Sequence, residues 1–197
     1  MIKKLTLATN NKGKKTEIRN LLEDVCIEIV DIEGDFNPVE NGGSFYKNAL
    51  IKAKEAAKIT GLPALGDDSG LSVDILGGLP GIHSSRFAEN DEKRIERVLE
   101  ALKYCQTEER GASFICCTVI VSAEGEELFS CTEKCSGVII DAPKGDNGFG
   151  YDPIFFMTEL NKTMAELTLE EKNNISHRAK ALKKTISWLK EQQPSLA

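Results

Sequence analysis

Residues 2–32, IKKLTLATNNKGKKTEIRNLLEDVCIEIVDI, decide how the chain begins to fold. Residues 2–9 read as a strand, 14–24 as a helix with Ile18, Leu21, Leu22 and Val25 at helical spacing, and 25–32 as a second strand. The opening is therefore β-α-β. Between strand and helix lies Thr9-Asn10-Asn11-Lys12-Gly13-Lys14-Lys15, which puts three lysines near a helix N-terminus, where the helix dipole disfavours cations. A turn of small and polar residues with N–H groups to offer, plus lysines, suits an anion such as phosphate. A solvated basic turn accounts for the same residues equally well. The turn is not a Walker-type phosphate loop, which would need Gly where Ala8 stands and Ser or Thr where Lys15 stands.

Further along, a polar loop around Pro38 and Gly42-Gly43 leads into an Ala-rich helix over 44–60. Phe45, Ala49, Ala53 and Ala56 form its apolar stripe, and Lys52 falls inside that stripe while Lys47, Lys54 and Lys58 cluster opposite. A lysine on an apolar face either snorkels to water or reaches an anion in a cleft. Leu50 and Ile51 lie off the stripe, so the helix is expected to be covered on two sides, with an oligomer contact as one candidate.

A short buried strand over 63–66 runs into Asp67-Asp68-Ser69-Gly70. Two carboxylates at the end of an apolar strand are costly unless a metal or a hydrogen-bond network compensates them, although an Asp-rich turn is the plainer alternative. If strand geometry persists, the two side chains diverge and only one can enter a given cleft.

After a Gly/Pro loop at 77–81 come a charged helix over 91–103 and two β-rich runs, 112–122 and 126–140, with a hairpin break at Glu124-Gly125. A Gly-rich loop at 145–150 precedes 151–156. A helix over 176–192 closes the chain, with Ala179, Leu182, Ile186 and Leu189 on one stripe. Ser176 suits its N-cap, which puts His177 and Arg178 in the first turn, again against the dipole, with Lys172 just upstream. A ligand would relieve that placement; so would a salt bridge from Arg178. The pattern predicts an α/β protein with a mixed β-sheet and flanking helices, one domain over 1–197, and two lobes around a central cleft.

Composition agrees: 197 residues, 41% hydrophobic and 28% charged, are enough for one substantial core. No stretch approaches the ~18 apolar residues of a membrane span, and the first residues read as a strand rather than an export signal, so the expected location is cytoplasmic. A net charge of −6 disfavours nucleic acid as a partner. Six cysteines without zinc spacing, two of them adjacent at Cys116-Cys117, are expected to be buried free thiols.

In order along the chain, several segments resemble the inosine triphosphate pyrophosphatase family from Leu5 to about Leu189. They are Leu7-Ala8-Thr9 with Asn11 and Lys14; Glu40 with Gly42; Phe45, Asn48-Ala49 and Lys52-Ala53; and Asp67-Asp68-Ser69-Gly70-Leu71. They continue with Gly77-Gly78-Leu79-Pro80-Gly81, Ser84 and Arg86; Gly148-Phe149-Gly150-Tyr151-Asp152-Pro153; and Lys172 with Ser176-His177-Arg178. Lys47 departs from the pattern, standing where the family usually places an acid, and the cysteines are not part of it.

The resemblance implies hydrolysis of the α–β phosphoanhydride of non-standard purine nucleoside triphosphates (ITP, dITP, XTP), releasing the monophosphate and pyrophosphate, by a homodimer using Mg²⁺, with Mn²⁺ as an alternative. The cleft is then a nucleotide-binding cleft. By position Asp68 resembles the family's catalytic carboxylate, holding the metal with Glu40, while Asp67 stands behind it. Lys14, Lys52 and Lys172, with the turn Thr9, Asn10, Asn11, Lys12, Gly13 and with Ser69, would take the phosphates. Phe149 would stack on the purine, with Gly150, Tyr151 and Asp152 in the same loop, and His177 and Arg178 would donate to its 6-keto oxygen. Sites built on such bonds discriminate by ~10⁴-fold or more. The rival readings are a γ-phosphate-releasing NTPase and a nucleotide sensor without turnover.

Overall fold

A computed structural model describes residues 2–23, 25–34 and 36–192. The opening β-α-β is present as β1 (Lys4–Ala8), α1 (Lys12–Leu22) and β2 (Glu28–Asp31), with β1 and β2 parallel. Asn11 caps α1 by accepting the Lys14 N–H at 3.0 Å, which starts the helix two residues before the apolar spacing does. Asp24, where the sequence reading ends this helix, lies outside the described residues. Leu5 and Leu7 of β1 share one core with Ile18, Leu22 and Val25.

The Ala-rich helix is α2 (Phe45–Thr60), capped by Ser44 and ended by Gly61 at φ +65°. Its alanines 49, 53, 56 and 57 pack in a second core with Ala8, Ala64, Cys117 and Val119. They are small because α2 lies almost in contact with β3 (Ala64–Val73): a Cβ on Gly66 would sit 2.1 Å from the Ala49 carbonyl oxygen and 3.0 Å from Ala53 N. Gly66→Ala must push helix from strand. It is expected to cost about 1–3 kcal/mol, lowering the thermal midpoint by about 2–12 °C; an unchanged melt would show that the helix adjusts freely.

β3 is ten residues long, where a strand over 63–66 was expected; it carries straight through Asp67-Asp68-Ser69-Gly70. β4 (Gly111–Val121) and β5 (Glu127–Ile139) follow as the expected hairpin, with Gly125 at φ +84° in the turn. Short strands β6 (Phe155–Met157) and β7 (Lys162–Thr163) complete a seven-stranded sheet in the order β2-β1-β3-β4-β5-β6-β7. β1 runs parallel to β2 and β3, whereas β5, β6 and β7 pair antiparallel. The sheet is mixed and helices flank it, as the sequence predicts.

The chain divides into two compact units. The first takes residues up to Asp68, Cys116–Glu133 and the chain from Arg178, and holds the two cores above, the first of which also receives Leu182 and Leu189 of α5 (His177–Glu191). The second takes Ser69–Ile115 and Lys134–His177. Its core joins Ile95, Val98 and Leu102 of α3 (Asp91–Leu102) to Leu71, Phe114, Ile139 and Phe155. A further helix, α4 (Leu169–Ile175), was not expected; its seven residues carry no apolar stripe, and a capping box of Thr168 and Glu171 starts it.

All six cysteines are free, but only Cys116, Cys117 and Cys135 are buried; Cys26 is exposed and Cys105 and Cys131 are half-buried, which corrects the expectation for those three. Among the described residues no helix is long and apolar enough to cross a membrane.

Candidate active site

Because β3 stays extended through Asp67 and Asp68, the two carboxylates leave opposite faces of the strand and enter different surroundings. Asp68 meets α2. Its Oδ1 accepts from Lys52 Nζ at 2.8 Å and its Oδ2 from Asn48 Nδ2 at 3.2 Å. Lys52 also reaches Glu40 Oε1 at 2.8 Å. The lysine that breaks the apolar stripe is thus neither snorkelling nor solvated: it is 6% exposed and bridges two carboxylates. Asn48 fixes the arrangement, since its Oδ1 also accepts the Gly42 N–H at 2.9 Å, tying the loop that carries Glu40 to the helix. Lys47, the departure from the family pattern, is exposed and its N–H caps on Ser44 Oγ at 3.2 Å.

Burial raises the Asp68 carboxyl above its ordinary value, and Lys52 and Lys14 only partly offset that. Burial works to lower Lys52, but the charges of Asp68 and Glu40 outweigh it and hold the ammonium protonated. Among the described residues no three His, Cys, Asp or Glu form a cation cage. Glu40 and Asp68 nevertheless converge on one cationic position, and two carboxylate oxygens with further places left for phosphate and water are a donor set that suits a hard divalent cation.

Asp67 faces the other way, into a network with almost no exposure. Its Oδ2 accepts from Arg178 Nε at 3.1 Å and from the Cys116 thiol at 2.9 Å, and its Oδ1 pairs with Lys14. Arg178, 2% exposed, also pairs through Nη1 with Glu17, a residue of α1 that is itself 4% exposed. Burial alone would raise Asp67, yet Arg178 and Lys14 hold its carboxyl far below the usual range. Arg178 is in turn raised, its burial outweighed by Asp67 and Glu17. Burial, then the charge of Asp67, push the Cys116 thiol well up, so it stays a neutral donor.

In the turn before α1, Thr9 N donates to Leu7 O at 3.0 Å, Asn11 N to Thr9 Oγ1 at 3.2 Å and Lys14 N to Asn11 Oδ1 at 3.0 Å. Asn10 donates its side-chain amide to Phe36 O at 2.8 Å, while Lys12 is exposed and Gly13 half-buried. Three of the turn's amides are therefore already used internally. Ser69 follows Asp68 on β3, half-buried.

In the second unit, Phe149, Gly150, Tyr151 and Asp152 form a compact turn. Asp152 Oδ2 accepts both the Phe149 N–H at 2.9 Å and Lys172 Nζ at 2.6 Å, and the same ammonium lies 4.9 Å from the Phe149 ring centre. Tyr151 donates its hydroxyl to Ser84 O at 2.9 Å. A Cβ on Gly148, which has φ +77°, would fall 2.1 Å from Asp152 Oδ2. His177 stacks on Phe114, with ring centres 4.8 Å apart and planes 14° from parallel.

The structure thus brings Glu40, Lys52 and Asp68 together on one face of β3, Lys14, Asp67 and Arg178 on the other, and Phe149, Asp152 and Lys172 in one turn. Sequence reading gave no role to Asn48, Glu17 or Cys116. Asn48 lies inside the Asn48-Ala49 motif of the family resemblance, which is the signal that marks it. Glu17 looked like one more charge on a polar helix, and nothing in its spacing distinguishes it.

The class these features define is an α/β protein whose carboxylates are buried and held by matching lysines and arginine, with an aromatic turn on a separate unit. The chain belongs to the Ham1 family, whose model matches residues 5–188. It is 46% identical over 187 residues to a dITP/XTP pyrophosphatase of Gloeobacter violaceus, covering 95% of this chain and 94% of that protein. Against a dITP/XTP pyrophosphatase of Escherichia coli O157:H7 the identity is 46% over 195 residues, 96% of this chain and 99% of the relative. The solved structure of a HAM1 protein from Coxiella burnetii superposes with a TM-score of 0.86 at 42% identity, covering 97% of this chain and all of that one. The family resemblance read from the sequence motifs is borne out.

Proposed function

We propose that the chain hydrolyses non-standard purine nucleoside triphosphates (ITP, dITP and XTP) to the monophosphate and pyrophosphate, as a single functional domain, cytoplasmic and homodimeric. The observation that carries this reading is the convergence of Glu40 and Asp68 on one cationic position, in a chain so close to proteins named dITP/XTP pyrophosphatase.

Mg²⁺, with Mn²⁺ as the alternative, would be held by Glu40 and Asp68 and would supply charge neutralisation at the bridging phosphates. Asp68, with its raised carboxyl, orients the attacking water and accepts its proton. Lys52 holds the two carboxylates in place until substrate arrives and then shares its charge with the phosphates. Lys14, with the turn Thr9 to Gly13 and with Ser69, neutralises the departing pyrophosphate, whose charge grows as the bond breaks. Asp67 supports this chemistry from the far side of β3 by fixing Lys14. Base recognition falls to Phe149 as a stacking face, Asp152 and the amides of Gly150 and Tyr151, and to His177. Lys172, paired with Asp152, gives that turn its positive charge. Arg178, held in place by Glu17 and Asp67, donates to the 6-keto oxygen. Adenine offers an amino group there, so donor would meet donor, which costs affinity.

The test is a product assay with ITP, XTP, GTP and ATP, with and without Mg²⁺, following pyrophosphate and orthophosphate separately. Metal-dependent pyrophosphate from ITP and XTP is expected. Orthophosphate would mean γ-phosphate release, equal rates on ATP would remove the base selectivity, and binding without turnover would leave a sensor.

A further inference from the structure

The stacking residue Phe149 is held from both ends of its backbone. Its own N–H donates to Asp152 Oδ2, within the same turn. The next N–H, that of Gly150, donates at 2.8 Å to Asp91 Oδ2, a carboxylate 59 residues away in sequence on the first turn of α3. Asp91 is itself fixed, because its Oδ1 pairs with Arg94, and Arg94 Nε is anchored on Ala88 O at 3.2 Å.

Asp91 is not needed to cap α3, and its ion pair with Arg94 uses only Oδ1, so neither accounts for the bond from Oδ2 to Gly150. The cap of α3 is Asn90, whose Oδ1 accepts the Lys93 N–H at 2.8 Å, and Glu92 supplies a second acid to the same first turn. A charged acceptor on a backbone amide is among the stronger hydrogen bonds, and here it clamps the peptide that immediately follows the aromatic ring. Gly150 sits at φ +64°, so the chain turns sharply at that peptide, and releasing it would free the ring on one side.

We propose that Asp91 is a positioning residue for base recognition: through the Gly150 amide it sets the placement of the Phe149 ring, and so the affinity for a purine base, without touching the phosphates. This rests on Phe149 being the stacking residue of the proposed function. Asp91 belongs to none of the segments that carry the family resemblance, and its role is visible only through the contact with Gly150.

Five chains decide it: wild type, Asp91→Ala, Phe149→Ala, the double variant, and Asp91→Asn, the conservative replacement that keeps an acceptor oxygen. Amide hydrogen exchange at Gly150, read by NMR, is expected to speed ~10-fold or more in Asp91→Ala and to stay near wild type in Asp91→Asn. Affinity for inosine monophosphate, a base-bearing ligand that is not turned over, is expected to fall ~10-fold in Asp91→Ala, with no further fall when the change is made in the Phe149→Ala chain. With ITP the same variant should raise KM and leave kcat within ~2-fold. Unchanged exchange at Gly150, unchanged affinity, or equal losses in both backgrounds would each overturn the proposal. A wild-type chain that binds inosine monophosphate with the expected coupling but releases no pyrophosphate from ITP would instead sink the pyrophosphatase reading alone.

Discussion

Asp68→Asn is expected to lower turnover of ITP by ~10³-fold or more, since in the proposed mechanism Asp68 is both a metal donor and the group that takes the proton of the attacking water. The replacement keeps the size of the side chain and one acceptor oxygen. It replaces one of the two oxygens to which Lys52 and Asn48 separately donate by an NH₂ group, so one of those bonds is lost. Folding should nonetheless survive. Burial already works against the charged form of Asp68, and Lys52 retains Glu40 as a partner. Initial rates of pyrophosphate release, set beside a thermal melt, check both halves. Turnover within ~10-fold of wild type would remove Asp68 from the centre of the mechanism.

The largest expected effect on stability comes from the other face of the same strand. Arg178→Met leaves Glu17 and Asp67 buried without their shared counter-charge, and breaking such a pair from one side costs about 3–5 kcal/mol. For a chain of this size that is a fall of about 6–20 °C in the thermal midpoint. The loss should be partly reversed by also changing Glu17→Leu, because the second substitution removes the buried carboxylate that Arg178 had paired, while Asp67 keeps Lys14. The double variant is therefore expected to melt above Arg178→Met, and additive losses would show that the two residues contribute independently despite their contact.

The sequence makes the architecture legible where apolar spacing is strong. The β-α-β opening, the Ala-rich helix, the hairpin at Gly125 and the closing helix are all found within a few residues of where periodicity puts them. It is less legible where polar residues occupy regular structure. Asp67 and Asp68 look like a strand's end because carboxylates rarely sit mid-strand, and α4 is missed because a capping box rather than an apolar stripe defines it. In the candidate site, misplaced charge is the useful signal. Lys52 and Arg178 each stand out against local preference, and each proves to be buried among carboxylates. What spacing cannot supply is the partner. Glu17 meets Arg178 across 161 positions and Asp91 meets Gly150 across 59, and neither acid differs in sequence from the many that only face water.

The adjacency of Asp67 and Asp68 on an unbroken strand also constrains how this protein can diverge. One peptide unit separates a carboxylate committed to an arginine from one committed to a lysine, so inserting or deleting a single residue upstream within β3 would turn each carboxylate to the opposite face of the strand and away from its partners. Side-chain swaps are the only variation such a segment can absorb. Lineages of this fold should therefore differ in length at turns such as that around Gly125, and hold a fixed count of residues from Ala64 to Gly70.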